Sequence, residues 1–163
     1  MKVLVVDDDE AIRTYLTEQL TPKGHEVVGA GSGEEAAALI EAESFNLILL
    51  DVRMPVMGGM EVLKRINHLG VLTPVIVMTG FGGMEVVQEA MRLGAFDYLR
   101  KPFNIKEFYE ITEKAMVLSV AIETLSDALF KLDDLGVQAP EKKFAFERIL
   151  NSMESFHDSK LEV

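Results

Sequence analysis

Short apolar runs alternate with longer amphipathic segments along most of the chain. The runs are VLVV (3–6), HEVVGA (25–30), NLILLD (46–51), PVIVMT (74–79) and FDYLR (96–100). Between them lie EAIRTYLTEQL, SGEEAAALIEA, GMEVLKRINHL and GMEVVQEAMRL, with apolar residues at helical spacing. Strands alternating with helices of about a dozen residues predict parallel βαβ units. Unbroken runs such as LILL suit a sheet covered on both faces. Local signals agree. Ser32 with Glu35, and Asn104 with Glu107, have the spacing of capping boxes. Gly24, Gly70 and Gly94 fall where helices should stop. The pattern predicts an α/β domain of five βα units over residues 1–119.

The pattern changes after that. From Phe108 onward apolar residues recur in heptads. Phe108, Ala115, Ile122 and Leu129 take one seam position; Ile111, Leu118, Leu125 and Leu132 take the other. The first turns are expected to cover the sheet as a final helix. Beyond about residue 120 the sheet is complete, and the seam still needs a partner. DDLGVQAPE then breaks the helix at Gly136, and a second amphipathic segment follows with Phe146, Ile149, Leu150, Met153 and Phe156 on one face. Residues 120–163 are therefore expected to form a helical hairpin or coiled-coil extension.

Composition narrows the function. The chain has 163 residues, 48% of them apolar, which suffices for a real core. A net charge of −11 disfavours binding to DNA or anionic membranes by bulk electrostatics. With no cysteine there is neither a disulfide nor a thiolate metal site. Asp7 interrupts the N-terminal apolar run, so no signal peptide is expected, and no stretch of about 18 apolar residues offers a membrane span. The expected compartment is the cytoplasm.

In an open parallel sheet, ligands bind beyond the carboxyl ends of the strands. There the sequence places Asp7 and Asp8 after strand 1, Asp51 at the end of strand 3, Thr79 at the end of strand 4 and Lys101 after strand 5. Clustered carboxylates repel one another unless a cation neutralises them. Oxygen ligands without cysteine or histidine suit Mg²⁺ or Mn²⁺. A carboxylate such as Asp51 can act as a nucleophile. With a metal and a lysine to neutralise phosphoryl oxygens, and a hydroxyl to bond the product, the set suits formation of an aspartyl phosphate.

VLVVDDDEAIR, NLILLDVRMPVMGGMEVL, PVIVMTG and DYLRKPF together resemble the receiver domain of bacterial two-component response regulators, including chemotaxis-regulator-like members. The resemblance covers residues 1–119. It implies a flavodoxin-like (βα)5 sandwich with strand order 2-1-3-4-5. It also implies that Asp51 is the phosphoacceptor and that Asp8 is a direct metal ligand. Asp7 would act largely through water, and the Arg53 carbonyl would be a further ligand. Thr79 would be the switch hydroxyl, Tyr98 the switch aromatic that turns inward with it, and Lys101 the phosphate-pairing lysine before a cis proline, Pro102. Gly58 stands where the family often has Asp, so a looser turn is expected. Asp9 is read as a helix N-terminal residue favoured by the helix dipole. Arg53 and Phe81 would flank the phosphoryl group. His25 and His68 read as surface or strand-edge residues; a phosphotransfer role for His157 is the less favoured reading.

The implied donor is a sensor histidine kinase or a histidine phosphotransfer protein. Three outputs remain open. Phosphorylation could control dimerisation through residues 108–158, or partner binding by the C-terminal helices. Asp51 could pass phosphate onward in a relay. Residues 120–163 could hold a short transcriptional output. They are too few for a separate enzymatic domain, and Lys131, Lys142, Lys143, Arg148 and Lys160 are outnumbered there by Asp and Glu, so direct DNA binding is not expected.

Overall fold

Five parallel strands form one sheet in the order β2-β1-β3-β4-β5, where β1 is Lys2–Val6, β2 Glu26–Ala30, β3 Leu47–Asp51, β4 Val75–Thr79 and β5 Asp97–Arg100. This computed structural model describes residues 1–80 and 84–134. The strands alternate with helices α1 (Glu10–Leu20), α2 (Gly33–Ala42), α3 (Gly59–His68), α4 (Met84–Arg92) and α5 (Ile105–Asp134). The arrangement is the flavodoxin-like one expected from the sequence. Phe81, the expected break at Gly136, the segment carrying Phe146, Ile149, Leu150, Met153 and Phe156, and His157 lie outside the described residues.

The alternation of side chains along each strand divides the core into two layers. Leu4, Val6, Ile48, Leu50, Val75 and Val77 face one way and pack with Ala36 and Ile40 of α2, Val62, Leu63 and Ile66 of α3, and Val87 and Ala90 of α4. Val3, Val5, Leu47, Leu49, Ile76, Met78 and Leu99 face the other way, against Leu16 and Leu20 of α1 and Phe108 and Ala115 of α5. Every residue of β3 and β4 is buried, as their unbroken apolar runs require.

Helix ends follow the local signals. Asp9 is the N-cap of α1, its Oδ1 accepting from the Ala11 amide at 2.9 Å. Ser32 caps α2 by accepting from the Glu35 amide at 3.2 Å, while the Glu35 carboxylate reaches back to the Gly31 amide at 2.7 Å. Asn104 Oδ1 accepts from the Glu107 amide at 2.8 Å. Gly24, Gly70 and Gly94 all have positive φ after helical turns, a conformation that glycine adopts without a Cβ penalty.

At the amino ends of the strands, Lys2 ties the sheet together. Its backbone amide donates to Asn46 Oδ1 at 2.7 Å, and its ammonium lies 2.7 Å from Glu43 and 3.3 Å from Glu26.

The chain divides into two compact units, Met1–Val120 and Ala121–Val163. In the first, α5 buries Phe108, Thr112, Ala115 and Ser119. Thr112 satisfies its hydroxyl within the helix by donating to the Phe108 carbonyl at 2.8 Å. The described part of the second unit is the end of α5, in which Ile122 and Leu125 are half-buried and Phe130 is exposed. No helix among the described residues is long and apolar enough to cross a membrane.

Candidate functional site

Strand register brings the chemistry to one rim. Val6 pairs with both Ala30 and Leu50, Asp51 with Met78, and Thr79 with Arg100. Asp7, Asp51, Thr79 and Lys101 thus leave neighbouring strands at the same carboxyl edge. Asp7, Asp51 and Thr79 are buried, only 1%, 5% and 3% exposed.

Lys101 binds the two acids together. Its ammonium lies 2.5 Å from Asp51 Oδ1 and 2.5 Å from Asp7 Oδ2. The Lys101 backbone amide donates to the Thr79 carbonyl at 2.8 Å, and the Lys101–Pro102 peptide is cis, as the sequence motif implies. The other Asp51 oxygen accepts from the Arg53 amide at 2.7 Å. The other Asp7 oxygen accepts from the Asp9 amide at 3.0 Å.

The charges are not balanced. Burial pushes the Asp51 carboxyl above its ordinary value of 3.8, and neighbouring Asp7 pushes it further; the bonds from Lys101 offset only part of this. Burial acts to lower the Lys101 ammonium, but its hydrogen bonds to Asp51 and Asp7 outweigh that and raise it above 10.5. A buried carboxylate whose charged form is disfavoured beside a lysine still calls for more positive charge.

The available donors are hard oxygens, which suit a small divalent cation. Among the described residues no three acidic or histidine side chains are grouped as a ready-made metal cluster. Asp8, the third acid of the predicted set, is exposed at the same strand end. The donor chemistry and the shortage of positive charge at Asp51 both fit such an ion.

Two glycines let the loop after Asp51 close on the site. A Cβ on Gly59 would overlap the Asp51 carbonyl oxygen and stand 2.9 Å from its carbon. A Cβ on Gly33 would overlap the Met57 carbonyl and stand 2.8 Å from the Met57 side chain. Between these contacts the backbone turns sharply. Val56 takes φ 64° and is 94% exposed, so a β-branched side chain occupies the left-handed region. The turn around Gly58 was expected to be loose; its strain is carried two residues earlier, at Val56.

Tyr98 lies on β5, pointing outward and 36% exposed. Neither His25 nor His68 reaches the rim. His25 precedes the amino end of β2, half-buried, and burial holds its imidazole below 6.5; His68 is exposed at the end of α3. Sequence patterns did not reveal Arg13, whose guanidinium donates to the Asp7 carbonyl at 2.7 Å. A basic residue in a helix's second turn carries no signal for a strand-end contact.

Comparison with known proteins places this geometry. A family model described as the response regulator receiver domain matches residues 3–113. Sporulation initiation phosphotransferase F of Bacillus subtilis is 36% identical over 117 residues, 72% of this chain and 94% of that protein. Transcriptional regulatory protein ZraR of Salmonella typhimurium is 41% identical over 114 residues, 70% of this chain but only 26% of that protein. Among solved structures, Vibrio cholerae chemotaxis protein CheY4 superposes with a TM-score of 0.66 at 35% identity, covering 70% of this chain and 97% of that one. A CheY-like receiver domain protein from Methanospirillum hungatei gives 0.70 at 32% identity, covering 74% and 96%.

Proposed function

The chain belongs to the response regulator receiver family, and from that membership we propose that Asp51 is its phosphoacceptor. It carries the receiver domain of a two-component system, a signal-transduction module that works by phosphorylation. The observation that carries the residue assignment is the convergence of the Lys101 ammonium on buried Asp51 and Asp7.

An Asp51 carboxylate oxygen attacks the phosphorus of a phosphohistidine on a sensor kinase or phosphotransfer protein. The P–N bond breaks, and the histidine nitrogen leaves with the electron pair and takes up a proton. Lys101 then pairs with a phosphoryl oxygen, and the Thr79 hydroxyl donates to another. Asp7, Asp8, Asp51 and the Arg53 carbonyl would hold Mg²⁺ or Mn²⁺, which would supply positive charge to the phosphoryl oxygens. Thr79 moving toward the product would vacate space for Tyr98 to turn inward, which is the switch. The receiver catalyses its own phosphorylation and dephosphorylation.

For the output, residues 1–119 act as the receiver and 120–163 as an extension that pairs two chains through residues 108–158. The partial exposure of Leu118, Ile122 and Leu125 at the heptad positions supports this seam. A relay is the second reading, favoured by similarity to a protein named as a phosphotransferase along 94% of its length. The match to ZraR spans about a quarter of that regulator, so its transcriptional role does not carry over by length alone. The acidic composition disfavours direct contact with DNA, and the protein is read as cytoplasmic.

Incubation with acetyl phosphate and Mg²⁺ tests the assignment by intact mass. One phosphoryl group should be added, and Asp51→Asn should abolish it. Labelling retained in that variant would overturn the assignment.

A further inference from the structure

We propose that Arg13 is a positioning residue that fixes the direction of Asp8 by clamping the peptide bond between the two acids. The inference rests on the reading of Asp7 and Asp8 as a metal-binding pair.

The ladder between β1 and β2 ends with Val6 opposite Ala30, and the Asp7 amide still donates to the Ala30 carbonyl at 3.1 Å. The Asp7 carbonyl lies past the ladder, at a place where the sheet supplies no donor. Arg13 Nη1 supplies one at 2.7 Å, and the bond is strengthened by the guanidinium charge. That carbonyl shares one rigid plane with the Asp8 amide. Holding its oxygen therefore fixes the plane from which Asp8 departs. The Asp7 side chain is already held on both oxygens, by Lys101 and by the Asp9 amide. Asp8 is exposed and owes its direction to this backbone.

The clamp has a prepared floor. The Arg13 side chain passes over Gly29 and Gly31. A Cβ on Gly31 would meet Nη1 at 3.5 Å, Cζ at 3.6 Å and Nη2 at 3.7 Å; one on Gly29 would meet Cδ at 3.7 Å. These are ordinary contact distances, so a single Cβ would fit there, whereas a branched side chain such as valine at Gly31 would reach further into the space of the guanidinium. A flexible lysine would not use that surface in the same way.

Positioning and simple charge predict opposite results, which makes the idea testable. Removing a cation near an acidic site should by itself tighten binding of a divalent ion. Loss of the clamp should weaken it, on the order of tenfold or more. Free Mn²⁺ is counted by electron paramagnetic resonance during titration of the full chain and of Arg13→Met, Gly31→Val and Asp8→Ala. The expected result is weaker Mn²⁺ binding in all three, although Gly31→Val leaves the charge unchanged. In metal-free protein, Arg13→Met and Gly31→Val should also shift the Asp8 amide resonance. Unchanged or tighter Mn²⁺ binding in Arg13→Met, with Asp8→Ala still impaired, overturns the proposal. If Asp8→Ala binds normally, the metal reading fails instead, and the Asp8 amide resonance alone decides whether the clamp exists.

Discussion

Lys101 and Asp51 meet at 2.5 Å, yet the lysine does not fully compensate the buried carboxylate. Because the folded Asp51 titrates above 3.8, its charged form costs stability at neutral pH. That cost is relieved as pH falls through the raised folded value, and it is gone below 3.8, where the unfolded chain is protonated too. Asp51→Asn should therefore be more stable than the parent at pH 7 by urea unfolding, with the difference shrinking in acid. Lys101 works in the other direction. Its raised folded value contributes stability that is complete below 10.5 and lost as pH rises through the folded value. Lys101→Met should lack that alkaline loss.

Mg²⁺ should stabilise the protein without any phosphodonor. A ligand that binds only the folded state at a hundred times its Kd adds about 2.7 kcal/mol. Thermal unfolding of the parent should shift upward as Mg²⁺ is added, and Asp8→Ala should lose most of the increment. A parent that melts at the same temperature with and without Mg²⁺ contradicts the site.

Gly59 and Val56 should respond oppositely to substitution, though they lie in one short loop. Gly59→Ala forces a methyl group into the Asp51 carbonyl and should cost about 1–3 kcal/mol by overpacking. Val56 sits in the left-handed region, which costs a residue with a Cβ roughly 1–2 kcal/mol. Val56→Gly removes that cost, adds some unfolded-state entropy, and should be neutral to stabilising by a few tenths to about 1 kcal/mol. Urea midpoints decide both; a destabilised Val56→Gly would mean that the exposed valine makes a compensating contact.

The seam on α5 predicts self-association. Ile122→Asp and Leu125→Asp each place a charge in the proposed dimer contact. The parent should sediment as a dimer at tens of micromolar, and the double variant as a monomer with its α/β unit still folded. A monomeric parent at that concentration disposes of the dimer.

Much of this architecture was legible in the residues. The five strands stand within one residue of the apolar runs; in β3 and β4 this follows because fully buried parallel strands leave little polar interruption to blur them. Gly24, Gly70 and Gly94 ended helical turns as expected, since positive φ leaves few alternatives to glycine. The heptad reading of α5 was less complete. It captured Phe108 and Ala115 but passed over Thr112 and Ser119, which lie on the same buried face. A polar residue that bonds its own helix backbone can be buried without any trace in an apolar pattern. The same limit hid Arg13 and Gly33. Their importance lies in backbone atoms of distant residues, and side-chain periodicity contains no record of those.

Lys2 and its partners hold the amino ends of the strands, while Asp7, Asp51, Thr79 and Lys101 occupy the carboxyl ends. The two groups share strands but no side-chain bond. An engineer therefore has two separate handles on one small scaffold. Changes at Lys2, Glu43 or Asn46 would tune how long the protein survives heat or proteases and leave the rim's reactivity untouched. Changes at the rim would retune the timing of a signal and, through the buried charges of Asp51 and Lys101, would move stability as well.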